Sequence, residues 1–199
     1  MFEIAEYIGI IAFAMSGFFI ATRNKLDFLG VLISVFLTAL GGGVIRDVIV
    51  NKTPYTFSHT SPALIIVSVM LLLVIFRFHK RESIENRPLF ILSDSIGLVS
   101  FSITGAFIAI EADLNLTGVL ALSFITAVGG GIIRDVIINE IPFVLKTGFY
   151  GTIALLIGLI IYILESFGLM NILTLSILFI SGIILRLVAY YNRWAIPMI

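Results

Sequence analysis

The chain has 199 residues, 60% of them hydrophobic and 12% charged, with a mean hydropathy of +1.18. Soluble proteins average about 45–50% apolar and 25% charged residues, so this composition predicts an integral membrane protein. The net charge of zero gives no support for a nucleic-acid partner, and the absence of cysteine excludes disulfides, thiolate catalysis and cysteine-ligated metals.

Seven apolar runs follow one another along the chain, each reaching or approaching the ~20 residues that cross a bilayer as a helix. They cover residues 4–22, 28–50, 61–78, 89–110, 116–138, 148–164 and 169–190. The first has neither a basic segment before it nor a cleavage site, so we expect a spanning helix and not a signal peptide. The sequence predicts an all-α polytopic membrane protein with seven transmembrane helices and short connections.

The basic residues predict the orientation, because loops rich in lysine and arginine stay on the cytoplasmic side. Seven spans would place nine basic residues on one face: Arg23, Lys25, Arg77, Lys80, Arg81, Arg87, Lys146, Arg186 and Arg193. The opposite face has Lys52, and Tyr190, Tyr191 and Trp194 form an interfacial aromatic anchor after the last span. We therefore expect the N-terminus outside and the C-terminus in the cytoplasm.

A nine-residue motif occurs twice, as GGGVIRDVI at 41–49 and as GGGIIRDVI at 129–137. The same shift of 88 residues aligns the flanking sequence, in which about half of the positions are identical. Each half has three spans, and an odd number makes equivalent helices run in opposite directions. This predicts an inverted repeat, an architecture found in transporters. The predicted units are three-helix repeats at 1–88 and 89–166, then a seventh helix and tail at 167–199.

Consecutive glycines inside an apolar run indicate a kink, a break or a close approach between backbones. At 1.5 Å per residue from the predicted helix starts, both triplets lie near the centre of the bilayer. Irregular backbone at that depth must be buried or reached by water, and freed carbonyl oxygens there can bind cations. Close helix packing is the alternative explanation. The candidate residues for a cation path are Gly41, Gly42, Gly43, Gly129, Gly130 and Gly131, together with Asp47 and Asp135.

Arginine and aspartate follow each glycine triplet closely, inside runs where ionisable groups are costly and indicate function. Arg46 and Arg134 either have a gating or structural role or extend to the membrane interface, as long basic side chains often do. Asp47 and Asp135 either attract cations or serve as counter-ions of these arginines.

Depth and the repeat predict partners for the two arginines. Adjacent residues on a helix do not face each other, so Arg46 is poorly placed to pair with the aspartate that follows it. Glu6 in the first span and its equivalent Asp94 in the fourth lie at the depths of the two arginines. We therefore predict two related ion pairs, Glu6 with Arg46 and Asp94 with Arg134. Hydroxyls near the same levels, which more often bond their own backbone, belong to Ser16, Thr38, Thr104 and Thr126.

Signatures of soluble enzymes are absent from the sequence, which has no HExxH, CxxC, P-loop or GxSxG motif. His59 and His79 lie in predicted loops and are expected to be solvated. We expect no enzyme activity, no catalytic residue and no metal site.

The seven predicted spans are arranged as two groups of three followed by one, and a GGGxxRD motif lies in the second and in the fifth span. This arrangement resembles that of the prokaryotic trimeric intracellular cation (TRIC) channel family. Its bacterial members are also known as membrane proteins with two glycine-transporter-like domains. The resemblance covers the chain from about Glu6 to Tyr190, and the doubled motif is specific. It implies a homotrimer in which each subunit has its own pore for potassium and other monovalent cations. The second and fifth helices, kinked at the glycines, would line that pore.

The resemblance also implies the surroundings of the protein. It points to the plasma membrane, to permeant monovalent cations without another cofactor, and to other copies of the chain and lipids as partners, with no nucleic acid. A secondary transporter of a small zwitterion such as glycine is the alternative, because inverted repeats with broken helices are equally typical of transporters. A membrane scaffold without transport activity is the third possibility.

Overall fold

The computed structural model describes residues 2–78, 83–146 and 149–194, with side chains except at 2 and 83–87. This part of the chain is helical and contains no strand. Its helices are α1 (Phe2–Arg23), α2 (Phe28–Ile49), α3 (Tyr55–Ser58), α4 (Ser61–Ile75), α5 (Ser83–Glu111), α6 (Leu116–Ile137), α7 (Phe143–Lys146), α8 (Gly151–Ser166) and α9 (Ile172–Tyr191). His79, Lys80, Arg81 and the side chain of Arg87, which bear on the predicted loop and orientation, lie outside the described residues.

Seven of these helices coincide with the seven predicted apolar runs. Five contain segments long and apolar enough to cross a membrane, namely Glu3–Arg23, Phe28–Ile49, Pro88–Glu111, Leu116–Ile137 and Ile172–Tyr191. Helices α4 and α8 are also apolar but have only 15 and 16 residues. The prediction of an all-helical membrane protein is confirmed. Helices α3 and α7 are short turns of four residues that the apolar pattern does not reveal.

The ends of α2 and α6 have the same local structure. Asp27 and Asn115 each accept a hydrogen bond from the backbone NH three residues later, at 2.7 and 3.0 Å. Such N-caps satisfy one of the free donors in the first turn of a helix. Beyond the last turn, Asn51 and Asn139 adopt positive φ angles of 56° and 59°, a conformation that asparagine tolerates better than most residues. Local sequence therefore sets both boundaries of these helices.

Four long helices form the centre of the molecule. Helices α1 and α6 each pack against both α2 and α5. Helix α4 packs against α1 and α2, and α8 packs in the equivalent way against α5 and α6. Phe13 on α1 contacts its repeat equivalent Phe101 on α5, with ring centroids 5.2 Å apart. Helix α9 has no repeat equivalent, and its main contacts are with α5 and α8.

The glycine triplets lie where α2 and α6 cross. Both helices are continuous through the triplets, so the predicted break is wrong, whereas the predicted close approach of backbones is confirmed. A Cβ atom at Gly42 would clash with the Thr126 carbonyl oxygen, and one at Gly130 would clash with the Thr38 carbonyl oxygen. Only glycine allows this backbone contact, which favours the packing explanation of the triplets over ligation by freed carbonyl groups.

Candidate functional site

Arg46 on α2 is the centre of a buried ionic cluster, and its side chain is only 1% exposed. Its Nη1 donates to Glu6 Oε2 at 2.6 Å, and its Nη2 donates to Glu6 Oε1 at 3.2 Å. Its Nε donates to Asp47 Oδ1 at 2.8 Å, and Nη1 also reaches the Thr104 hydroxyl at 3.2 Å. Arg46, Glu6 and Asp47 are termed the first charge centre.

Arg134 on α6 has an equivalent environment and is also 1% exposed. Its Nη1 donates to Asp94 Oδ1 at 3.0 Å and to the Ser16 hydroxyl at 2.6 Å, while its Nε donates to Asp135 Oδ1 at 2.8 Å. The Ser16 hydroxyl in turn donates to Asp94 Oδ1 at 3.1 Å. Arg134, Asp94 and Asp135 are termed the second charge centre.

The geometry confirms both predicted pairs, Glu6 with Arg46 and Asp94 with Arg134. The expectation that Arg46 is poorly placed to pair with Asp47 is wrong. Side chains of adjacent helical residues point in different directions, but the arginine side chain is long and its guanidinium has hydrogen-bond donors at Nε and at both terminal nitrogens. Its Nε turns back to the adjacent carboxylate while its terminal nitrogens reach another helix. The same folded-back geometry occurs at Arg134.

Asp47 and Asp135 also anchor the short helices that follow them. Asp47 Oδ2 accepts the backbone NH of Tyr55 at 2.9 Å, and Asp135 Oδ2 accepts that of Phe143 at 2.6 Å. Each aspartate thus pairs with its arginine through one oxygen and fixes a loop through the other. The counter-ion alternative describes these contacts, and attraction of permeant cations stays a prediction.

Of the four hydroxyl residues near the centres, two bond only their own helix among the described residues, and two contact a charged side chain. Thr38 and Thr126 each donate to the carbonyl oxygen four residues earlier, at 2.6 Å, as is common in membrane helices. Thr104 bonds the carbonyl oxygen three residues earlier and also accepts from Arg46. Ser16 instead joins Arg134 to Asp94, so each centre is contacted by a hydroxyl from the other half of the repeat.

The first centre borders a small cleft. Its lining includes Glu6, Asp47, Tyr55 and Thr56. The Tyr55 hydroxyl bonds the Tyr7 hydroxyl at 2.8 Å. This hydrogen bond raises the pKa of Tyr55 above its ordinary value, so the phenol remains neutral at physiological pH. The side-chain oxygens of the residues that line the cleft therefore belong to carboxylates and neutral hydroxyls.

The second centre is bordered instead by a third buried arginine, which the basic-residue count placed on the cytoplasmic face. Arg186 on α9 is 1% exposed. Its guanidinium carbon lies 4.8 Å from the ring centroid of Tyr150 and 5.6 Å from those of Phe143 and Tyr190. The signal that could have revealed it is its place inside the last apolar run, where a charged residue indicates function.

The chemistry of these clusters is electrostatic. Among the side chains that the structure describes, no three histidine, aspartate or glutamate residues form a group that could hold a metal ion. Each centre combines one guanidinium with two carboxylates and so has a formal charge of −1. Buried groups of this kind can attract or exclude mobile ions over several ångströms, since charges interact strongly where the dielectric constant is low.

Known proteins resemble this chain over most of its length. The sequence model of a family described as glycine transporter matches residues 3–80 and 91–166. The membrane protein YvgT of Bacillus subtilis is 35% identical over 198 residues, which are 98% of this chain and 95% of YvgT.

Solved structures resemble the fold as well. One is a TRIC cation channel studied for the structural basis of conductance, with 35% identity, a TM-score of 0.84, and coverage of 100% of this chain and 97% of that chain. Another is the TRIC trimeric intracellular cation channel orthologue from Rhodobacter sphaeroides, with 27% identity and a TM-score of 0.86. The match to it covers 96% of this chain and 98% of that chain.

Proposed function

Because the chain belongs to the prokaryotic TRIC family, whose sequence model is the one described as glycine transporter, we propose that it is a monovalent cation channel. The proposal includes potassium as the permeant ion and a pathway within each subunit, lined by α2 and α6, the second and fifth predicted spans. The observation that carries it is the pair of equivalent buried charge centres, one on each side of the glycine crossing.

The formal charge of the centres supports cations as the permeant species. An isolated buried arginine would repel cations, but each arginine here has two carboxylate partners within 3.0 Å. The excess carboxylate gives each centre, counted without Arg186, a formal charge of −1, and negative charge attracts a mobile cation and repels an anion. The arginines therefore hold the carboxylates in place without reversing the sign of the field.

The membrane arrangement in this proposal is a seven-span inverted repeat in the cell membrane. Two surface ion pairs support it, Arg23 with Glu140 at 3.0 Å and Lys52 with Glu111 at 2.8 Å. Position 23 is equivalent to 111, and position 52 is equivalent to 140, so a two-fold axis would exchange the two pairs. Opposite charges at equivalent positions make both contacts attractive between the halves.

The crossing of α2 and α6 supports a closed state for this conformation. Backbone contact at Gly42 and Gly130 leaves no space between the helices at that level. Conduction would require the helices to bend or separate there, and glycine is where a helix bends most readily. The triplets would thus serve packing in the closed state and bending in the open state.

A homotrimer completes the proposal. The relative from Rhodobacter sphaeroides is described as trimeric. Helix α9 exposes large apolar side chains, among them Ile172, Leu173, Ile177, Ile180 and Ile184, each at least 56% exposed. Such a surface needs lipid or another copy of the chain to cover it.

The test is planar-bilayer recording of the purified protein, because a channel gives discrete unitary currents far above the turnover of a carrier. We expect unitary currents in potassium chloride. The transporter alternative follows from the family description, and uptake of labelled glycine into proteoliposomes tests it. Glycine accumulation that depends on an ion gradient, without unitary currents, would favour the transporter and refute the channel.

A further inference from the structure

Arg186 is a buried cation on α9 for which the described part of the chain provides no direct anionic partner. Among the described residues no carboxylate oxygen lies within 4.0 Å of it, and its buried Nε has no hydrogen bond. Three aromatic rings surround it instead, the nearest being Tyr150 at 4.8 Å. Aromatic faces stabilise a guanidinium but compensate only part of the cost of burying the charge. A more distant opposite charge is therefore needed.

The second charge centre supplies that opposite charge. Asp94 Oδ2 is buried and has no hydrogen bond of standard geometry, because Arg134 and Ser16 both bind the other oxygen. Asp94 and Tyr150 both contribute to the electrostatic environment of Arg186. Adding the guanidinium of Arg186 to the second centre brings its formal charge from −1 to zero.

Among the described residues, the first centre has no counterpart of Arg186. Arg186 belongs to α9, the helix without a repeat equivalent, and its main contacts are with α5 and α8 of the second half. The repeat equivalent of Tyr150 is Pro62, which has no aromatic ring to hold a cation. The first centre thus keeps its charge of −1 and borders the cleft lined by Glu6 and Asp47.

We propose that Arg186, held by its aromatic rings against the second charge centre, makes the two ends of the cation pathway electrostatically unequal. The proposal rests on the proposed channel function. Cations meet a net negative centre at one end and a neutral centre at the other. The wild-type currents measured at two voltages of equal size and opposite sign therefore differ in size. Arg186 is a positioning residue of the field and does not contact the permeant ion.

Single-channel recording of Arg186→Gln tests the proposal. The variant returns the second centre to −1, so we expect the smaller of the two opposite currents to increase on the order of twofold or more, bringing their ratio close to one. The ratio does not depend on which way the protein inserts. Arg186→Lys keeps the charge and should keep the wild-type ratio, as should Arg193→Gln, which removes an exposed charge just beyond the same helix. An unchanged ratio in Arg186→Gln would overturn the proposal.

A second pair of variants leaves Arg186 intact, in case its replacement prevents folding. Asp47→Asn brings both centres to zero and should make the currents more equal, with a lower conductance. Asp135→Asn makes the second centre +1 and should make the currents less equal. If Arg186 does not contribute, the wild-type currents start nearly equal, and each of the two variants makes them less equal by a similar amount. That result would refute the proposal.

Thermal denaturation of the single and double variants at Asp94 and Arg186 separates this inference from the channel function, since it needs no current. We expect Asp94→Asn combined with Arg186→Gln to be milder than the sum of the single changes. Additive effects would refute the electrostatic link between the two residues. Absence of unitary currents from the wild type, with non-additive melting, would refute the channel and the role in conduction while retaining that link.

Discussion

Replacement of Arg134 by glutamine removes the guanidinium that directly contacts Asp94 and Asp135. Three hydrogen bonds of 2.6 to 3.0 Å are lost, and the two carboxylates remain only 1% and 6% exposed. Removing one member of a buried ion pair lowers the free energy of unfolding by about 3–5 kcal/mol because the remaining charge is uncompensated. For a chain of this size, that corresponds to a melting temperature lower by roughly 6–20 °C.

The assay is thermal denaturation of the purified protein in detergent, followed by the loss of the oligomer peak in size-exclusion chromatography. The matched control is Arg23→Gln, which breaks an ion pair to Glu140 in which the arginine is 49% exposed. Exposed pairs contribute about 0–1 kcal/mol, so this control should melt close to the wild type. Asp94→Asn combined with Arg134→Gln should be milder than the sum by about 0.5–3 kcal/mol. If Arg134→Gln melts like the control, or if the double variant is additive, the reasoning about buried charge is refuted.

Two further predictions concern the helix crossing and the orientation. Gly42→Ala should destabilise the protein by about 3 kcal/mol, because its methyl group meets the main-chain carbonyl of Thr126. Gly131→Ala is the control, because the nearest atom to an added Cβ is 3.7 Å away, and its stability in the same melting assay should stay within about 1 kcal/mol of the wild type. Equal destabilisation by the two substitutions would show that the glycines do not serve backbone contact. A membrane-impermeant thiol reagent applied outside cells should label Lys52→Cys and not Lys146→Cys, both of which replace lysines that are 47% exposed in a chain without native cysteine. The reverse labelling would overturn the predicted orientation.

Much of the charge centres could be predicted from the sequence, because depth in a membrane and an internal repeat both limit where a charge can find a partner. Glu6 and Asp94 followed from these limits alone. The contact of Arg46 with Asp47 did not, since helical periodicity describes where Cβ atoms point and not how far a flexible arginine folds back.

The helix crossing and Arg186 show where packing decides what the sequence leaves open. A glycine triplet allows a bend or a close approach, and only the position of Thr126 on the neighbouring helix identifies Gly42 as a packing residue here. The position of Arg186 inside an apolar run indicates function, but its role depends on aromatic rings from three separate segments. No pattern local to α9 brings those rings together.

The reversal potential of unitary currents in a potassium chloride gradient tests the central claim most directly. The net negative charge of the two centres taken together predicts a reversal potential close to the potassium equilibrium potential, with small anions excluded. A reversal potential near zero or near that of chloride would contradict the account, because it would mean that the centres do not select the sign of the permeant ion.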